Sequence, residues 1–152
     1  MIRQTITKHV NRSAKDTFSV IGTGLYEYHP KWEREVVEIR PLTAEPVGVG
    51  SRAIMVRREF GRTTESEYEI TEFEQDHKLA AYHPDDPSMD FHISFQITPI
   101  DDDSCTVQVD VEAQPKGWSR LFEPVMRLAM PGRTERLASS MVEVIESAPA
   151  LT

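Results

Sequence analysis

From Glu35 onward apolar and polar residues alternate with a period of two, the mark of strands with one buried and one wet face. The clearest stretch is MDFHISFQI, where Met89, Phe91, Ile93, Phe95 and Ile97 share one face and Asp90, His92, Ser94 and Gln96 the other. An acidic turn, DDDS, leads into CTVQVDVEA, which places Cys105, Val107, Val109 and Val111 inward. Two such neighbours describe an antiparallel sheet with one solvated face. Ahead of them lie EVVEIRPL, GVGSRAIMVRREF (entered through a glycine-rich turn), TTESEYEITEFE and KLAAYH, the last followed by the turn HPDDPS. In the third of these, Tyr68 and Ile70 face one way and Glu65, Glu67 and Glu69 the other. Residues 2–10 form a further strand, with Ile2, Ile6 and Val10 on one face and Gln4 and Lys8 as imperfect members.

Helical signals sit at two places. Ser13, with Asp16 three residues on, reads as an N-cap, and the helix it opens runs to about Ile21 before Gly22 and Gly24 break it. LYEYH predicts a second short helix stopped before Pro30, because the residue ahead of a proline disfavours the α region. From residue 117 to 147 the period changes. Leu121, Phe122, Val125, Met126 and Ala129 form one stripe, and Leu137, Ala138, Met141, Val142 and Ile145 resume it after Pro131-Gly132. This predicts one long amphipathic helix, bent or interrupted at the Pro-Gly pair, that supplies the second apolar layer the sheet requires.

Composition narrows the picture. A chain of 152 residues without repeats or linkers reads as a single domain over 1–152. That length buries about 68–70% of the unfolded surface, so neither disulfide nor structural metal is needed. The one cysteine, Cys105, cannot form an internal disulfide and reads as a packing residue in a reducing compartment. A formal charge of −8 argues against nucleic acid as a general partner. No apolar run approaches the ~20 residues needed to span a bilayer, and MIRQTITKHV lacks a signal-like apolar core, so the expectation is a soluble cytoplasmic protein.

Four stretches carry a resemblance. VNRSAKDTFSVI is a strand-to-helix entry with an aromatic after a short polar cap; HPKWEREVVEI puts a Trp before the second strand; VGVGSRAIM turns on glycines into the third; GWSRLFEPVMRL opens the long helix with an internal proline. In this order they resemble the START-like helix-grip superfamily, and within it the polyketide cyclase/dehydrase or SRPBCC ligand-binding proteins, over nearly the whole chain. The resemblance implies an α+β helix-grip fold, with a curved antiparallel sheet of about seven strands wrapped around the C-terminal helix. It also implies an apolar cavity between them for a lipid, polyketide, quinone or similar small hydrophobic molecule. Some members are enzymes, so the fold leaves function open.

The candidate chemistry is sparse. YEYHPKW offers Tyr26, Tyr28, His29 and Trp32 as wall or rim of a cavity, with His29 as an acid or base, or alternatively as a core anchor and a surface turn. Inward polar positions are Tyr68, His83 and, if its strand runs without a bulge, Arg57; each needs a partner or a polar ligand. The expected lining is Phe91, Ile93 and Phe95, Val107 and Val109, and Met126, Met130 and Met141, which could equally be a filled core. His83, Asp85, Asp86, Asp90 and His92 invite a metal, but Asp90 and His92 fall on the wet face and Asp85 and Asp86 read as turn formers, so no metal is expected. GVGSR lacks a phosphate-loop pattern, and no nucleophile motif or cofactor fingerprint is legible, so no catalytic residue is assigned. Binding of a small hydrophobic molecule therefore stands first. A cyclase-, aromatase- or dehydratase-like enzyme and a protein-interaction module using the same groove stand as alternatives, and a homodimer is possible.

Overall fold

The computed structural model describes residues 1–84 and 88–149. Strand β1 is Ile2–Val10, helices α1 and α2 are Ala14–Ile21 and Leu25–Trp32, and strands β2 to β7 are Val36–Pro41, Arg52–Glu59, Arg62–Glu74, Lys78–His83, Met89–Asp101 and Ser104–Pro115. A 3-10 turn over Gly117–Phe122 leads into α3, Glu123–Ser147. The strands form one curved seven-stranded sheet in the order β1-β7-β6-β5-β4-β3-β2, every neighbouring pair antiparallel. This is the helix-grip architecture expected from the sequence.

Local chemistry accounts for most of these elements. Ser13 caps α1, its hydroxyl accepting from the Asp16 amide at 3.0 Å. The β3–β4 connection has two residues, Phe60 and Gly61, at φ 53° and 74°. Positive φ at both positions is the tight hairpin turn that matches strand twist. The inward residues of β7 (Cys105, Val107, Val109, Val111 and Ala113) are all buried, and opposite them β1 contributes Ile2 and Val10. Cys105 packs against Thr17, with Sγ and Oγ1 3.3 Å apart, and burial raises its pKa against a smaller opposing effect of that contact. It is a core residue.

Two expectations need correction. Helix α2 does not stop before Pro30; it runs through it to Trp32 and closes with the Glu33 amide on the His29 carbonyl at 3.1 Å. Proline forfeits one backbone bond, but the last turn is held by burial of Trp32 and by the His29–Glu33 contact. Helix α3 is continuous across Pro131, and its two apolar stripes have different fates. The second half buries Thr134, Ala138, Met141 and Ile145 against the sheet and the short helices. The first stripe does not close onto the sheet: Leu121, Phe122 and Val125 are exposed, and Met126 is only half-buried. On a regular helix Val125 and Leu128 lie about 140–160° round the axis from Met141, so they cannot face the same layer.

This division of α3 sets a stability contrast. Met141→Ala, at a site with no solvent exposure, should cost roughly 2–5 kcal/mol. Leu128→Ala should stay within about 0.5 kcal/mol. Urea unfolding of the two variants beside the parent measures both; equal losses would mean that the first half of α3 is docked in solution.

Candidate functional site

The site is built from α2 inward. Two close approaches fix the entry of this helix: a Cβ at Gly22 would lie 2.4 Å from the Phe18 ring, and one at Gly24 would lie 2.3 Å from the Ser19 carbonyl oxygen. Only glycine fits there. On α2, Tyr26, His29 and Trp32 follow one another at intervals of three and share the side turned toward the sheet, and Glu33, which caps the helix, lies four residues after His29.

An aromatic chain crosses from α2 onto the inner sheet face. Tyr26 meets Tyr68 of β4 at 6.4 Å between ring centres, Tyr68 meets His83 of β5 at 5.8 Å, and His83 meets Phe91 of β6 edge-on at 5.3 Å. Trp32 meets Phe95 edge-on at 6.4 Å and stacks on His29 at 5.2 Å. Strand register explains the grouping: Ala53 lies opposite Tyr68, and His83 opposite Phe91.

Four buried polar atoms in this chain have no hydrogen-bond partner among the described residues: Tyr26 Oη, His29 Nδ1, Trp32 Nε1 and Tyr68 Oη. Buried polar atoms are normally paired, and an unpaired one costs about 1–3 kcal/mol. Burial pushes the Tyr68 phenol far above its ordinary value, helped by the neighbouring Tyr26. Burial also raises Tyr26, with a further rise from the Glu45 charge and a partial offset from the Ser51 hydroxyl, although no hydrogen bond of normal geometry joins the two. Both phenols therefore stay protonated at neutral pH and present O–H donors.

Beside the aromatics lies an ion cluster. His29 Nε2 is 2.8 Å from Glu33 Oε1, and Arg57 Nη1 donates to Glu33 Oε2 at 3.0 Å. Arg57 Nη2 and Arg133 Nη2 both donate to Glu59 Oε1, at 3.4 and 3.2 Å. Burial alone would raise Glu33, but His29 and Arg57 outweigh it and hold its carboxyl at about 2. Burial would lower Arg57, and Glu33 and Glu59 outweigh that in turn. The cluster ties α2 to β3, and β3 to α3.

The sequence-named residues divide among these settings. Tyr26, Trp32, Tyr68, His83, Phe91 and Phe95 are brought together in the aromatic chain. Strand β3 pairs with β4 without a bulge, so Arg57 faces inward, where carboxylates engage it. Ile93 and Met130 are half-buried at the edge of the core, and Met126 lies outside it. Val107, Val109 and Met141 are sealed in its packed end. Asp90 and His92 turn outward, Asp90 to Lys116 and Tyr82, and His92 stacked on Tyr82 at 4.3 Å. Asp85 and Asp86 lie outside the described residues, among which no group of three metal-ligating side chains occurs. Sequence reasoning missed Glu33, Glu59 and Arg133; only the i, i+4 spacing of His29 and Glu33 hinted at the first. Among the described residues, no helix is long and apolar enough to cross a membrane.

A family model described as polyketide cyclase / dehydrase and lipid transport matches residues 1–146. No curated protein matches the chain. Among solved structures, a START superfamily protein from Mycobacterium smegmatis is similar at 17% identity, covering 95% of this chain and 97% of that one, with a TM-score of 0.78. Norcoclaurine synthase from Thalictrum flavum is similar at 16% identity, covering 99% and 90%, with a TM-score of 0.70. The Zhui aromatase/cyclase from Streptomyces sp. R1128 is similar at 9% identity, covering 95% and 90%, with a TM-score of 0.74. At these identities the likeness is one of fold.

Glu33 makes stability pH-dependent with a defined sign. Its pKa is lower folded than unfolded, so its contribution is complete above the ordinary glutamate value of 4.5 and is lost as pH falls toward about 2. The full effect is on the order of 3 kcal/mol. Glu33→Gln should lower stability at neutral pH and flatten the acid limb. Urea midpoints measured between about pH 6 and pH 2.5 test this; parallel curves for the two proteins would refute it.

Proposed function

This chain belongs to the polyketide cyclase / dehydrase and lipid transport family, and from that premise we propose that it binds a small hydrophobic molecule bearing one or two acceptor oxygens, such as a ketone or quinone. The observation that carries this reading is the set of orphaned polar atoms on the inner aromatic chain, led by the paired phenols Tyr26 and Tyr68. A protonated phenol and an indole N–H can only gain by meeting an acceptor, and the rings around them offer an apolar bed.

Binding energy would come from removing apolar ligand surface from water, worth about 25 cal/mol per Å² before the costs of association. The half-buried Phe91, Ile93, His83 and Met130 are the apolar contacts still able to gain cover. Val107, Val109 and Met141 have none to gain. The phenols would set the ligand's orientation.

One observation favours a second reading, proton transfer on the bound molecule. Tyr68 and His83 lie side by side at 5.8 Å between ring centres. With its pKa raised, Tyr68 suits polarising a carbonyl and not abstracting a proton, which leaves His83 as the candidate base.

The chain holds two tryptophans, so Trp118→Phe leaves Trp32 as the single reporter inside the site. Titration of that variant with a panel of aromatic ketones and naphthoquinones should quench Trp32 fluorescence, and Tyr68→Phe in the same background should weaken binding by about 3- to 10-fold. A panel that leaves Trp32 emission unchanged, or affinity indifferent to Tyr68→Phe, would overturn the reading. Turnover of a bound compound, lost on His83→Ala but not on Tyr28→Phe, would establish the second.

A further inference from the structure

A second feature lies outside this site. Four apolar side chains at the start of α3 and the turn before it stand more than 60% in solvent, Trp118 at 70%, Leu121 at 81%, Val125 at 64% and Leu128 at 86%, with Phe122 beside them at 51%. A fifth, Phe60 at the tip of the β3–β4 hairpin, is 99% exposed. It occupies a positive φ, a conformation uncommon for a bulky residue.

Both groups lie at one end of the sheet. Met89 pairs with Pro115 there, and the Lys116 amide donates to the Ser88 carbonyl, which seats the turn carrying Trp118 beside the start of β6. Glu69 of β4 pairs with Tyr82 of β5, so residues 62–67 and the hairpin tip project past the end of β5 on that same side. Arg133 on α3 reaches Glu59, next to Phe60, at 3.2 Å. Folding leaves these apolar groups uncovered. Val125 and Leu128 point about 140–160° away from the stripe that α3 buries, so a small movement of the helix onto the sheet would not hide them.

Charge separates this rim from the rest of the molecule. Residues 58–62, 88–90 and 116–133 hold six of the 17 Lys and Arg against three of the 25 acids, in a chain whose net charge is −8, and one of those acids, Asp90, pairs with Lys116 at 3.2 Å. Arg58, Arg62 and Arg120 are exposed and have no ion-pair partner among the described residues. An acidic molecule thus carries a basic, apolar end.

We infer that this rim docks on an anionic lipid bilayer. Trp, Phe and Leu entering the headgroup layer while Arg and Lys meet lipid phosphates is the chemistry of an interfacial segment. An indole fits that boundary because its ring is apolar and its N–H polar. A second copy of the chain fits less well, since a two-fold contact would set Arg120 and its equivalents against each other. A nucleic acid would use the cations but gain little from Leu121, Val125 and Leu128. Phe60, Trp118, Leu121, Val125 and Leu128 take no part in the ring contacts of Tyr26, Trp32 and Tyr68, so docking and ligand binding are read from different side chains.

The test is co-sedimentation of the full chain with vesicles of phosphatidylcholine and phosphatidylglycerol at roughly 3:1, beside pure phosphatidylcholine vesicles. Binding to the anionic vesicles is expected, weakening as salt rises, with a blue shift in emission that Trp118→Phe removes. Leu121→Ser/Leu128→Ser and, separately, Arg62→Glu/Arg120→Glu should each weaken it by at least about tenfold. All four positions are exposed, so far-ultraviolet circular dichroism of these variants should match the parent. Absence of binding at low salt, or retention of parental affinity by both double variants, overturns the inference. So does a concentration-dependent dimer that Leu121→Ser/Leu128→Ser dissolves while vesicles bind neither form, an outcome that assigns the rim to a second copy.

Discussion

Glu33 is the group on which the arrangement of the site turns. A carboxylate largely removed from water must be matched on every side or neutralised. His29, one turn earlier on α2, takes one oxygen, and Arg57 on β3 takes the other. Those two contacts hold the C-terminal turn of α2 against the sheet in spite of Pro30, and that position fixes where Tyr26 and Trp32 enter the interior. Arg57 then passes the constraint outward through Glu59 to Arg133, so the helix that caps the sheet is tied to the same charge. Removing one partner of such a cluster leaves a buried charge uncompensated, so any arrangement that separates Glu33 from His29 and Arg57 is costly.

The interior it organises has two characters. Where α3 lies on β1 and β7, the core is sealed by Val107, Val109, Ala138, Met141 and Ile145. Toward the start of the helix the packing loosens, and His83, Phe91, Ile93 and Met130 stay half-covered. The unpaired phenols and indole lie on the aromatic chain that reaches this looser region. A fold that left several buried donors without acceptors for structural reasons alone would forfeit several kcal/mol, a large part of the usual 5–15 kcal/mol margin. In the proposed reading these donors await an acceptor supplied from outside.

Much of the fold was legible because its signals are local. Alternation in residues 89–97 and 105–111 named the inward residues of two central strands, and Ser13 with Asp16 named the first cap. The site was legible in part. Tyr68, His83 and Phe91 were identified by strand phase, which register preserves. Glu33, Glu59 and Arg133 were not, because ionic partners from a helix, a strand and a second helix leave no periodic trace. The misreading at Pro30 has the same origin, since a local propensity was overruled by a tertiary contact.

By itself the sequence determined the strands, the inward face of most of them, the two-layer architecture and the absence of a recognisable nucleophile or metal motif. Each of these depends on residues within a few positions of one another, where period and turn chemistry act. Only the tertiary structure decided which apolar stripe of α3 would be buried and which would stand in solvent, because both stripes have the same spacing on opposite sides of the helix and the sheet can cover only one side. It also decided that Arg57 is already held by carboxylates while Tyr26 and Tyr68 are left without partners. Burial and pairing are properties of neighbours brought together by folding, and the linear chain does not contain them.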